Sequence, residues 1–259
     1  MIKIVSGFTE KGGSTTCLIN LTNLLNENGI ECTFYGNQDY HRDRCRSGNI
    51  ARDLEYGPDD VVITHFLELP ERPPVRRVIL SSHEKWWFPV GRIKQYWDVC
   101  VFLHEEHRQY HSDYRGGSVI IPNPKENLVS NKKGPVKNVA GIIGTIEERK
   151  QTHVSIQRAL RDQCEPIYLF GHIGEPDYFE QCVKPLLNPG VIHLGHTENK
   201  QKMYDQVGRV YHSSIGEVAC LVKDECHLTG TEFYGNEETM HEVSKLTNGE
   251  ILALWKNIF

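Results

Sequence analysis

The feature that most constrains the fold is an alternation, along the whole chain, of short apolar runs with longer stretches of helical periodicity. Six runs in the first half are β-branched, are bounded by turn residues and are predicted to be buried strands: Ile2–Val5, Glu31–Tyr35, Asp60–Thr64, Val78–Ser81, Val99–Leu103 and Val119–Ile121. Between the first two runs, leucines at positions 18, 21 and 25 share one face of a predicted helix over Thr15–Asn28. This alternation is typical of a parallel sheet covered by helices.

The pattern breaks once and then restarts. Residues 122–138, PNPKENLVSNKKGPVKN, are rich in Pro, Asn and Lys, have no periodicity and therefore resemble a linker. The predicted elements after the linker are strands Val139–Ile143, Pro166–Phe170, Val191–Leu194 and Val210–Tyr211, with helices Thr152–Arg161, Tyr178–Leu186 and Lys200–Val207. We therefore expect two α/β domains, 1–130 and 131–240, facing a central cleft, and a helical tail over 241–259 that crosses back onto one of them.

A glycine turn follows the first strand, in the segment GFTEKGGSTTCLINL. Gly12 and Gly13 would let the backbone approach a ligand, and the following helix would offer unpaired N–H groups to an anion. A second interpretation is the deviant phosphate loop of partitioning-type ATPases, with Lys11 as its lysine. That loop needs a lysine directly before its Ser or Thr, where this chain has Gly13. A third interpretation is a tight turn with Ser14 as the helix N-cap.

Two glutamates lie eight positions apart in SSIGEVACLVKDECHL. A helix that opens at Glu217 would place Val218, Leu221, Val222 and Glu225 on one stripe. A carboxylate on an otherwise apolar face is costly unless something hydrogen-bonds to it. We therefore expect a hydrogen-bonding partner for Glu225. Taken alone, the spacing is weak, and an amphipathic surface helix would explain it too.

The order of these segments resembles the retaining glycosyltransferases of the GT-B fold, in particular family 4. The pair Glu217 and Glu225 is similar to that family's carboxylate motif, and AGIIGTIEERKQ resembles its first donor-domain strand with the following lysine. The segments YLFGHIGEP and VIHLGHTENKQKMYDQVGRVYHSS resemble the strands that come next. In the first half, the Gly12–Gly13 loop, VIIPNPKE and His83 in ILSSHEKWW match its acceptor-domain segments.

The resemblance implies two Rossmann-like domains and transfer of a sugar, with retention, from a nucleotide-sugar to an acceptor. It implies the catalytic residues Glu217, His83 and Lys150. It implies donor contacts from Gly12, Gly13, Thr145, Arg149, Lys150, Glu217 and Glu225. Thr145 stands where the family has an arginine, and Asn123 is followed by Pro124 rather than glycine. A non-catalytic nucleotide-sugar binder on the same scaffold is the alternative that these departures leave open.

The resemblance also implies a reaction without a metal or cofactor, because the nucleotide-sugar is a substrate. His104, His107 and His111 could share a helix face as metal ligands, but an exposed polar segment explains them as well. The acceptor is expected to be a saccharide, a lipid-linked sugar or a small molecule. For a lipid-linked acceptor, Trp86–Phe88 are the expected peripheral membrane contact, although tryptophans are more often core residues.

Composition limits the expected partners and the expected cellular compartment. The formal net charge of −5 argues against a nucleic-acid partner. The eight cysteines are scattered, no Cys-x-x-Cys pair occurs, and no signal peptide leads the sequence. We expect free thiols and a cytoplasmic protein.

Overall fold

The computed structural model describes residues 1–8, 12–37, 43–67, 69–85, 96–132, 138–239 and 241–259. The chain divides into two compact units, which are described separately. Unit 1 comprises Met1–Lys125 and Lys245–Phe259, and unit 2 comprises Glu126–Ser244. The sequence predicts a domain boundary between residues 130 and 131, whereas the two units meet along the chain between Lys125 and Glu126. The tail predicted as a separate segment, 241–259, belongs to unit 1 from Lys245 onward.

Unit 1 is built on a seven-stranded parallel sheet. Its strands are β1 (Ile2–Ser6), β2 (Cys32–Gly36), β3 (Ser47–Asn49), β4 (Val61–His65), β5 (Arg77–Ser81), β6 (Val99–Phe102) and β7 (Ser118–Ile120). Its helices are α1 (Gly13–Glu27), α2 (Ile50–Asp53), α3 (Glu105–Tyr110) and α8 (Asn248–Lys256). The strand order is β3-β2-β1-β4-β5-β6-β7, so the direction of strand addition reverses between β1 and β4.

The six predicted strands of this half are present within one or two residues at each end, and β3 is an additional edge strand. The central strands β1, β2 and β4 are buried along their whole length, as expected for strands covered on both faces. Helix α1 begins at Gly13 with Gly12 as its N-cap and no side-chain cap, so the interpretation with Ser14 as N-cap is wrong.

Helix α8 packs onto unit 1. Its residues Ile251, Leu252 and Trp255 belong to the same buried core as Leu18 and Leu21 of α1. Asn248 also exchanges two hydrogen bonds with the backbone of Lys125, 2.7 Å from its N–H and 3.0 Å from its carbonyl. The helix is shorter than the predicted helical tail over 241–259, because among the described residues of that tail only α8 is helical.

Unit 2 is built on a five-stranded parallel sheet. Its strands are β8 (Ala140–Ile143), β9 (Ile167–Phe170), β10 (Val191–His193), β11 (Arg209–Tyr211) and β12 (Glu232–Tyr234). Its helices are α4 (Thr152–Arg161), α5 (Pro176–Tyr178), α6 (Lys200–Gln206) and α7 (Leu221–Thr229). The strand order is β10-β9-β8-β11-β12, so the reversal lies between β8 and β11.

Two predicted helices of unit 2 differ in the structure. The segment Tyr178–Leu186 continues α5 through a π-helical turn at Phe179–Val183 and a 3-10 turn at Lys184–Leu186. The helix predicted to open at Glu217 begins at Leu221, so Glu217 and Val218 lie in the preceding loop. The α/β class with two parallel-sheet units is confirmed.

No helix among the described residues is long and apolar enough to cross a membrane.

Helix α7 ends at Gly230, which has a positive φ of 64°. A Cβ built there would lie 2.8 Å from Ser130 Oγ. We expect Gly230→Ala to lower the free energy of unfolding by about 1–2 kcal/mol, because a Cβ disfavours the left-handed conformation. Urea denaturation measures the loss.

The control is Gly195→Ala in the same unit, since Gly195 has φ 76° and open space around it. This control isolates the backbone cost and should lose less than Gly230→Ala. A Gly230→Ala protein as stable as the wild type would contradict the prediction.

Candidate functional site

The reversal of strand order in unit 2 indicates where a ligand would bind. In open α/β sheets, ligands bind outside the carboxyl ends of the strands at this point. The segment after β8 leads through Gly144, whose φ is 136°, into a 3-10 turn over Glu148–Lys150. The segment after β11 carries His212, Ser213, Ser214 and Glu217. The two segments therefore bring the candidate residues Arg149, Lys150 and Glu217 together.

Glu217 is the centre of this group, and its side chain is only 12% exposed. Its Oε1 accepts a hydrogen bond from Ser214 Oγ at 2.6 Å and is in direct contact with Lys150 Nζ. Arg149 NH1 and His212 Nε2 each lie 3.6 Å from the same oxygen. Its Oε2 makes no hydrogen bond with any described residue. One carboxylate oxygen is thus neutralised, and the other is available to accept a hydrogen bond.

The electrostatics keep this carboxyl group charged. Burial is the largest single effect and opposes ionisation, but the charges and hydrogen bonds of Lys150 and His212 together outweigh it and hold the pKa of Glu217 well below its usual range. Burial lowers the pKa of His212, although Glu217 partly opposes the shift. His212 is therefore neutral at neutral pH, and its Nε2 is a buried atom without a hydrogen-bond partner among the described residues.

Glu225 differs from what was expected of it. It is buried on α7, as predicted, but the protein supplies its partners. Lys200 Nζ donates to Oε1 at 2.7 Å, and Tyr204 Oη donates to Oε2 at 2.7 Å. Lys200 also donates to Glu126 at 2.6 Å. The donor contact expected of Glu225 is therefore not needed to satisfy its charge, because Lys200 and Tyr204 of α6 each bind one of its oxygens, and that contact stays a prediction.

Thr145 follows β8 but has no polar contact in this group. Its hydroxyl makes no hydrogen bond with the described residues, and its methyl carbon lies against Gly174, where an added Cβ would come within 2.6 Å. Thr145 is therefore placed by packing on the segment after β9. Its expected role in donor binding stays a prediction.

The remaining candidates belong to unit 1. Gly12 and Gly13 start α1, and Gly12 is in an extended conformation. His83 follows β5, and its Nε2 lies 3.2 Å from Ser81 Oγ. Lys11 of the ATPase interpretation and Trp86–Phe88 of the membrane contact lie outside the described residues.

The three histidines considered as metal ligands have separate contacts. His107 and His111 each point Nε2 at the main-chain carbonyl of Glu84, at 3.1 and 2.8 Å. His104 caps α3 by accepting from the His107 backbone N–H. Within the described ranges, no group of three His, Cys, Asp or Glu side chains is arranged to hold a metal ion.

Several polar residues of these sites were missed in the sequence. They are Ser6, His65 and Glu84 in unit 1, and Lys200, Tyr204, His212 and Ser214 in unit 2. Most of them end a buried strand or follow one within a few residues, so a search for polar residues at the carboxyl ends of predicted strands would have found them. Lys200 and Tyr204 carry no such signal.

No family model matches the sequence, and no curated protein matches it either. Solved structures do. HepE (Alr3699) of Anabaena, crystallised with UDP and glucose, matches with a TM-score of 0.69 and 16% identity over 99% of this chain and 88% of that chain. AviGT4, a glycosyltransferase involved in avilamycin A biosynthesis, matches with a TM-score of 0.65 and 16% identity over 100% and 89%. WaaG, a glycosyltransferase involved in lipopolysaccharide biosynthesis, matches with a TM-score of 0.68 and 10% identity over 100% and 90%.

The chain has the fold of the GT-B glycosyltransferases. At these identities the likeness shows the fold, and it does not show the roles of the site residues. The two parallel sheets are the Rossmann-like units that the resemblance led us to expect.

The internal partners of Glu225 yield a stability prediction. Tyr204 is fully buried and donates to a charged acceptor. We expect Tyr204→Phe to lower the free energy of unfolding by about 1.5–3 kcal/mol, the range for hydrogen bonds to charged groups. Chemical denaturation measures it.

The matched control is Tyr234→Phe, whose hydroxyl donates at 2.9 Å to the more exposed Glu232. This control should lose less than about 1 kcal/mol, because water replaces an exposed partner. Equal losses for the two variants would contradict the assignment of Tyr204 to Glu225.

Glu217 yields a pH prediction. A carboxyl group whose pKa is lowered on folding stabilises the folded state above its unfolded pKa, here 4.5, and the contribution is lost as the pH falls. We expect the free energy of unfolding to fall below that pH, and Glu217→Gln to make the fall shallower. Denaturation curves at several pH values provide the slope. Glu180→Gln, on an exposed i,i+4 pair with Lys184, should keep the wild-type slope. Equal slopes for both variants would refute the prediction.

Proposed function

We propose that the protein is a glycosyltransferase that moves a sugar from a nucleotide-sugar to an acceptor, and that unit 2 binds the donor. The observation that carries the proposal is the Lys150–Glu217 pair at the strand-order reversal of that unit. The fold supports it, since HepE, AviGT4 and WaaG share it and HepE was crystallised with UDP and glucose.

The geometry suggests a role for each charged group. Glu217 Oε2 is free to accept a hydrogen bond from a sugar hydroxyl while Oε1 stays neutralised. Lys150 and Arg149 would bind the diphosphate and stabilise the charge that develops as it leaves. Arg149 is half exposed and reaches both Glu147 and Glu217, so it can turn to a ligand at small cost.

The finer points of the proposal come from the resemblance. They are transfer of a hexose, retention at the anomeric carbon, the absence of a metal or cofactor, and a role for His83, Gly12 and Gly13 toward the donor. The acceptor is a saccharide, a lipid-linked sugar or a small molecule. Glu225 is assigned to the stability of unit 2, because its oxygens already have partners there.

The experiment measures release of nucleoside diphosphate from UDP-, GDP- and ADP-sugars, together with the shift in Tm that each diphosphate produces. We expect one base to give both signals. Lys150→Ala should lower kcat/KM by roughly 100-fold, the cost of removing one donor to a developing negative charge. Glu217→Gln should lower it by roughly 10- to 100-fold, since a charged acceptor is replaced by a neutral one.

Lys184→Ala and Glu180→Gln are the matched controls, because they remove the same side chains from an exposed pair of the same unit. Both should keep wild-type rates. A Tm shift without diphosphate release would favour the non-catalytic binder. The absence of both signals with every base would reject the proposal.

A further inference from the structure

A chain of three polar side chains crosses the strand-order reversal of unit 1. Ser6 ends β1, His65 ends β4, and Glu84 follows β5. Ser6 Oγ lies 2.8 Å from His65 Nδ1, and His65 Nε2 lies 3.0 Å from Glu84 Oε1. Because a carboxylate only accepts, Nε2 carries the hydrogen toward Glu84. Ser6 Oγ also contacts the main-chain carbonyl of Phe8, to which its hydroxyl donates.

This chain is buried where a sheet of this kind would bind a ligand. Ser6 and His65 have no exposed surface, so their polar groups depend on partners within the protein. Replacing a buried charged network by apolar residues of similar volume is often neutral or stabilising, so burial of this network is weak evidence for a purely structural role.

The hydrogen-bonded side chains of Ser6, His65 and Glu84 help to fix the backbone at Glu84. Glu84 Oε2 accepts from the His83 backbone N–H at 3.1 Å. The main-chain carbonyl of Glu84 accepts from His111 at 2.8 Å and from His107 at 3.1 Å. Histidines thus hold both the carboxylate of Glu84 and the carbonyl of the Glu84–Lys85 peptide, and the held carboxylate binds the backbone N–H of His83.

His83 is the residue whose position these contacts set. Its ring meets the ring of His65 edge to face, with centroids 5.2 Å apart and an interplanar angle of 89°. Ser81 occupies Nε2, whereas Nδ1 makes no hydrogen bond with the described residues. His83 also lines a small cavity of unit 1 with Asn123 and Pro124. Burial lowers the pKa of His83 to about 3, so the ring is neutral at neutral pH and offers a hydrogen bond rather than a charge.

We propose that His65 is a positioning residue: through Glu84 it holds His83 so that Nδ1 of His83 can bind a hydroxyl group of a saccharide. The saccharide rests on the proposed function, whereas the positioning of His83 does not. His65 acts through its neighbours and is not required to touch the ligand.

The first test is kinetic and uses diphosphate release by the full chain. His65→Leu should lower kcat by about tenfold or more and leave the donor KM within about twofold, because only the orientation of His83 changes. His65→Gln keeps an amide N–H toward Glu84 and should recover most of kcat. Val62→Ala, on the same strand and equally buried, should leave kcat unchanged at temperatures where it is folded.

Two results would overturn the proposal. One is a kcat for His65→Leu close to that of the wild type. The other is an equal loss in Val62→Ala, which would show that any damage to β4 has this effect. Where His65→Leu does not fold, His65→Gln is compared with Glu84→Gln, which keeps the shape of the side chain and removes its charge. The kcat of Glu84→Gln should then be lower than that of His65→Gln. The reverse order would contradict the positioning of His83 through Glu84.

The second test does not need turnover. The ring nitrogens of His83, labelled with ¹⁵N, should give one neutral tautomer in the wild type and a mixture of tautomers in His65→Leu. Unchanged His83 signals in that variant would refute the positioning role. If the wild type releases no diphosphate from any donor, the proposed function fails, and this spectrum alone decides the role of His65.

Discussion

The contact between Lys150 and Glu217 is the interaction on which the candidate site depends. Two oppositely charged groups are removed from most of their water here, which costs free energy unless each finds a partner. Oε1 of Glu217 is bound by Lys150 and Ser214, and Arg149 lies nearby. A carboxylate held through one oxygen stays ionised and keeps its orientation, and the proposed function uses its other oxygen for a ligand.

Glu225 shows what the same side chain does in a different environment. Lys200 and Tyr204 bind one oxygen each, so the carboxylate is an internal counter-charge that ties α6 to α7. Replacing Lys200 or Tyr204 would leave the buried carboxylate of Glu225 with one partner fewer, which costs free energy. Two glutamates eight positions apart in one motif thus have separate duties. Among the described residues, Glu217 Oε2 has no hydrogen-bond partner, whereas each oxygen of Glu225 has one.

The sequence predicted the sheets well because their signal is local. Buried β-branched runs and helical periodicity do not depend on distant contacts, and even the boundaries of α4 were predicted to the residue. The start of α7 was not, because tertiary contacts decide it. Ile215 donates to the Arg149 carbonyl at 2.9 Å, and Asn236 donates to the Ser214 carbonyl at 3.0 Å. These bonds hold the loop in place, and Gly216, with φ 77°, turns it before the helix can begin. The partners of Glu225 come from 21 and 25 residues earlier, a distance at which spacing carries no signal.

The two units use the same place in the sheet for different chemistry. At its strand-order reversal, unit 2 presents charges, with Lys150 and Arg149 beside Glu217. Unit 1 presents the neutral ring of His83, whose backbone N–H is bound by Glu84, which is in turn bound by His65. A diphosphate binds through charge, since its oxygens are strong acceptors for ammonium and guanidinium groups. A sugar hydroxyl is neutral, can both donate and accept, and needs a well-oriented neutral partner more than a charge. The distribution of charge among the described residues therefore supports the proposed binding of a diphosphate by unit 2 and of a hydroxyl group by unit 1.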